Sequence, residues 1–120
     1  MSQEVADVLD AAADLIENVG HCKGKAVASR GSVPLAYCAL GALGRAAVMT
    51  GSGISRYADA RKALLVEIWG NPRRAYSDIA TWNDRPERTA AEVIDTFRRA
   101  AKDLRNESGN ETLVRDSEGA

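Results

Sequence analysis

A chain of 120 residues, 45% hydrophobic and 28% charged, is long enough to bury one core and too short for two. That balance excludes disorder throughout, and no apolar run approaches the length of a membrane-spanning helix. The formal net charge of −1 excludes nucleic-acid binding driven by bulk charge.

Aromatic residues make up only 5%, so Ala, Leu, Val and Ile must build the core. Charge is unevenly spread. Residues 1–20 carry five acids and no Lys or Arg, residues 21–62 carry seven bases and one acid, and residues 106–120 carry four acids and one base. The chain does not open on a basic-then-apolar leader, so a cytoplasmic location with reduced cysteines is expected.

The first predicted helix covers 3–19. Val5, Val8, Leu9, Ala12, Ile16 and Val19 form a continuous apolar stripe, with Gly20 closing the end. Its other face carries Glu4, Asp7, Asp10, Asp14 and Glu17. Asp7 and Asp14 on this face are candidate binding residues for a basic partner, which could also be the chain's own Lys23/Lys25/Arg30 segment. Residues 21–34 read as a connector. A small β-hairpin at 25–35 would turn at Gly31-Ser32, with Pro34 holding Val33 extended.

A central helix over about 35–49 has Arg45 as its only charge, which predicts protein on every side of it. Gly41 and Gly44 cost about 1 kcal/mol each in a helix, a cost explained by another backbone coming very close. Gly51-Ser52-Gly53 lacks the Lys-Ser/Thr continuation of a phosphate loop. A third helix is predicted over 56–69 from a Ser55 cap, and a short helix over 77–82 that Asn83-Asp84-Arg85-Pro86 breaks. The last helix, 90–104, opens on the capping box Thr89-Ala90-Ala91-Glu92. Arg98, Arg99, Lys102 and Arg105 crowd its final turns, suited to the helix dipole and to facing the acidic first helix. Together these pieces predict an all-α fold. It is a compact bundle of four main helices and one short helix around the small-residue helix, in a single domain at 1–105. A disordered polar tail at 106–120 would follow.

His21-Cys22, Cys38–Leu43, Trp82-Asn83-Asp84 and Thr89–Val93, in this order, resemble a family of small uncharacterised proteins of actinobacteria and their phages. The resemblance spans roughly residues 5–104 and implies a helical fold and such a source. It carries over no catalytic residue, and the family more often has an aromatic residue at position 21.

Three chemistries can be written from the residues. Cys38 in the first turn of a helix, with His21 as base and Asn83 or Asp84 orienting the ring, has the logic of a cysteine hydrolase or small-ligand pocket. Against it, Tyr37, Ala39 and Leu40 are apolar neighbours and suit a buried structural thiol. His21, Cys22, Cys38 and Asp84 match no closed zinc spacing, so neither metal nor other cofactor is expected. Trp82, Asn83, Asp84, Arg85 and Arg88 can form a binding rim, or bases could stack on Trp82 as in single-stranded nucleic-acid binding. The acids of the same region oppose the latter. The sequence favours a non-enzymatic protein–protein interaction module without membrane insertion, its partner unidentified and homo-oligomer formation left open.

Overall fold

The computed structural model describes the backbone of residues 2–119 and the side chains of residues 3–107. The elements in order are α1 (Ser2–Asn18), β1 (Val27–Arg30), β2 (Val33–Tyr37), α2 (Ala39–Met49), α3 (Gly53–Trp69), α4 (Ser77–Asp84) and α5 (Ala90–Gly119). The protein is mostly helical, with one two-stranded antiparallel sheet. The last helix, expected over 90–104, continues as α5 to Gly119 through the backbone of the expected tail, whose side chains from 108 onward lie outside the described residues.

The α1 stripe does what its spacing dictates except at Val19, which lies past the helix end at Asn18 and is 39% exposed. Val5, Val8, Leu9, Ala12 and Ile16 are buried, and they meet Val93, Phe97 and Ala101 of α5 in one core. Small residues on α1 and α2, among them Ala6, Ala13, Ala42 and Ala46, are fully buried and allow the close helix approach that an Ala-rich composition permits. Leu43 of α2 and Leu64 of α3 complete the interior.

Charge seals the α1–α5 seam. Arg98 reaches Asp10 at 3.3 Å, Asp14 at 2.7 Å and Glu17 at 3.1 Å, while Arg105 pairs with Asp7 at 2.8 Å and with Asp10. The last turns predicted for α5 do face the acidic helix. The partner of Asp7, Asp10, Asp14 and Glu17 is therefore α5 rather than the Lys23/Lys25/Arg30 segment, and Glu4 pairs with Arg56 of α3. These pairs are partly exposed, each contributing about 0.2–1 kcal/mol, and their geometry fixes the register of the two helices more than it adds stability.

The hairpin forms as expected and runs further than expected. Gly31, at φ 63°, supplies the left-handed position that a two-residue turn needs. Pro34 has no amide to donate, and it sits beside the irregularity in pairing between Ala28 and Ser29. Pairing continues to Val27↔Tyr37, so residues 35–37, expected in the central helix, lie in β2.

Four further helix expectations need correction. α2 starts at Ala39, and Cys38 is its N-cap rather than a first-turn residue. α2 is also not covered all round: Val48 and Met49 are 69% and 57% exposed, because the small hairpin shields only one side. α3 starts at Gly53, before Ser55, and α4 continues through Asn83 and Asp84 instead of breaking before them. The capping box at α5 is present, with the Glu92 amide donating to Thr89 Oγ1 at 3.1 Å and Thr89 Oγ1 meeting Glu92 Oε1 at 3.2 Å.

Candidate functional site

The α4 C-terminus places Asn83 against the connector that follows α1. Asn83 is fully buried, and every polar atom of its side chain is used. Oδ1 accepts from the Ala39 amide at 3.0 Å and lies 2.7 Å from His21 Nε2. Nδ2 donates to the Cys22 carbonyl at 3.0 Å and to Asp84 Oδ1 at 3.0 Å. Because Oδ1 can only accept, His21 Nε2 carries the proton in this contact.

Asp84 extends the knot by accepting from the Gly24 amide at 3.0 Å. That amide, then the Asn83 side chain, holds its carboxyl below the usual range. Lys23 Nζ donates to the Arg85 carbonyl at 2.6 Å, closing the connector over the end of α4. The backbone completes the arrangement. The Tyr37 amide donates to the Gly20 carbonyl at 2.9 Å, the Cys22 amide to the Tyr37 carbonyl at 3.0 Å, and the Cys38 amide to the Ala26 carbonyl at 2.9 Å. Gly20, at φ 142°, lies where a Cβ would be 2.8 Å from the Leu35 carbonyl oxygen.

His21, the Cys22 carbonyl and Asp84 thus converge on Asn83 rather than on a thiol. Cys38 is 5% exposed, and its sulfur accepts from the Gly41 amide at 3.4 Å, capping α2. His21 Nε2 is committed to Asn83, so the ring is aimed at an amide. Cys22 donates to the Lys25 carbonyl at 3.4 Å, and burial pushes its thiol up. Among the described residues, no three His, Cys, Asp or Glu side chains are grouped to hold a metal ion.

Trp82 is 8% exposed, with the Arg88 guanidinium 4.4 Å above its ring and Arg88 Nε donating to its carbonyl at 3.0 Å. Arg88 also pairs with Glu92 at 2.8 Å, and Arg85 with Glu87 at 3.6 Å. The depression that Trp82 and Arg88 line, of about 300 Å³, also holds Glu67, Glu92 and Asp95. The expected rim is therefore capped and rich in carboxylates. Asp7 and Asp14 face Arg105 and Arg98.

A different surface went unnoticed in the sequence. A groove of about 600 Å³ runs between the hairpin and α2, lined by Val27, Pro34, Tyr37, Gly41, Arg45 and Val48, among others. Past Gly44 and Val48, which line both, it continues into an apolar depression of about 180 Å³ with Ala47, Ile54 and Tyr57. Ile54 is 87% exposed. The signal available beforehand was an apolar helix too long for a short hairpin to cover.

No helix among the described residues is long and apolar enough to cross a membrane. No curated protein and no solved structure matches the chain. A family model does match, over residues 1–103, and it spans α1, the hairpin, the Asn83 knot and most of the core. The chain belongs to DUF6197, a family of unknown function.

Proposed function

We propose that the protein is a non-enzymatic interaction module that holds a partner protein in the groove between the hairpin, α2 and the start of α3. The observation that carries this reading is the apolar line through Val27, Val48 and Ile54, exposed by 38%, 69% and 87% along one groove. Exposed apolar surface arranged this way is typical of protein interfaces. The same reading takes the Asn83 knot as the device that fixes the hairpin, and so one wall of the groove. It moves the docking surface away from Asp7, Asp14 and the Trp82–Arg88 rim, whose groups are paired within the chain. A cytoplasmic setting in an actinobacterium or its phage belongs to this proposal.

The cysteine-hydrolase alternative has less support, because Cys38 is buried and His21 is occupied by Asn83. Nucleic-acid binding through Trp82 has less support too, since Arg88 already covers the ring and carboxylates surround it.

The test compares the wild type with a Val48→Glu/Ile54→Glu variant, both immobilised in a lysate of the source organism. We expect a protein that the wild type retains, that the variant releases, and that rebinds the wild type when purified. Equal retention by the two would overturn the groove as the working surface.

A further inference from the structure

The groove's electrostatics indicate what sits in it, an inference that rests on the docking function proposed above. Every residue lining its two parts comes from the stretch 18–58, which contains no Asp or Glu and five Lys or Arg. Two of those bases are occupied: Arg56 pairs with Glu4, and Lys23 donates to carbonyls at the end of α4. Arg45 lies in the groove wall on α2, exposed, and no carboxylate among the described residues pairs with it. The lining therefore has an apolar floor around Val48 and Ile54, is mixed at the hairpin end where Ser29 and Ser32 join Val27 and Pro34, and carries one unneutralised cation and no negative charge. The acids of the chain lie instead on α1, on α3 from Asp59 onward, and in α4–α5.

We propose that the groove receives an acidic segment of a partner protein, its apolar side chains set against Val27, Val48 and Ile54 and a carboxylate facing Arg45. The floor supplies the area for affinity, while the field of Arg45, Lys25 and Arg30 selects the sign of the partner and raises its rate of encounter. A polyanion such as single-stranded DNA would leave the apolar floor unused. Its bases need exposed aromatic faces, whereas Tyr37 is buried and Tyr57 is stacked under Arg61 at 4.7 Å.

A random peptide library displayed on phage tests this, selected on the full-length protein and counter-selected on Val48→Glu/Ile54→Glu. Both substitutions fall on exposed side chains, and circular dichroism checks that the variant stays folded. We expect peptides that combine spaced apolar residues with net negative charge. Their affinity should fall roughly fivefold in Arg45→Glu and fall again as salt rises. Apolar peptides without charge bias, or acidic ones indifferent to Arg45→Glu, would overturn the acidic partner and leave the groove function standing. Failure to select any peptide that separates wild type from the groove variant would overturn both. Self-association that Val48→Glu abolishes would put a second copy in the groove, and displacement of the peptides by oligo-dT would put nucleic acid there. Either result overturns the acidic-peptide inference.

Discussion

Gly41 and Gly44 look alike in the sequence, two glycines in one helix, yet their surroundings differ. A Cβ on Gly41 would overlap the Ala26 carbonyl oxygen, the same oxygen that accepts from the Cys38 amide. A Cβ on Gly44 would meet nothing nearer than the Tyr57 ring at 3.9 Å, an ordinary contact. Gly41→Ala should therefore cost about 2 kcal/mol through displacement of the hairpin. Gly44→Ala should stabilise by about 0.5–1 kcal/mol through helix propensity. Urea denaturation of the two variants measures both, and equal effects would mean that the hairpin does not press on α2. The need for glycine at 41 was anticipated as close backbone approach; the same expectation at 44 was wrong. Sequence spacing does not say which side of a helix another backbone occupies.

Between elements, the α3–α5 contact holds a carboxyl whose titration is coupled to packing. Glu67 on α3 meets Asp103 and Arg99 of α5, the latter at 3.9 Å, beside a depression of about 460 Å³. Burial first, then Asp103, pushes its carboxyl up to about 7. Over the interval from the ordinary Glu value to about 7, the folded protein keeps a proton that the unfolded chain releases. The stabilisation from this site is thus complete below the ordinary Glu range and lost as pH rises through about 7. We expect the melting temperature of the wild type to fall as pH rises from about 4.5 to about 7, and that of Glu67→Gln to fall less. Parallel curves would show that the pair does not govern the contact. Glu67 sits beside the apolar stripe of α3 and gave no signal in the sequence, because its partner is 36 positions away on another helix.

For the molecule as a whole, Asn83 joins segments that the chain separates widely: the connector at 21–24, the start of α2 and the end of α4. Asn83→Leu would leave the buried Ala39 amide and the part-buried Cys22 carbonyl and His21 Nε2 without their side-chain partner. The expected cost is about 3 kcal/mol. Native-state hydrogen exchange should show the connector and hairpin opening first, while α1 and α5 stay protected by their shared core. Uniform loss of protection would mean that the knot is part of the global core instead. Trp82-Asn83-Asp84 was legible as a distinctive triplet. Its role was not, since an Asn at a helix end reads equally as a terminator or a rim until its partners are placed.

The sequence by itself determined the helices, the hairpin turn, the capping box and the pairing of an acidic first helix with a basic last one. These depend on period, capping chemistry and charge, all local or one-dimensional. Only the tertiary structure decided that His21 Nε2 meets the Asn83 side chain while the Cys38 sulfur caps α2, that Arg88 covers Trp82, and that α2 leaves an apolar flank open. Those outcomes turn on which side chain reaches which across dozens of residues, and a short hairpin can shield only one face of the helix it packs on.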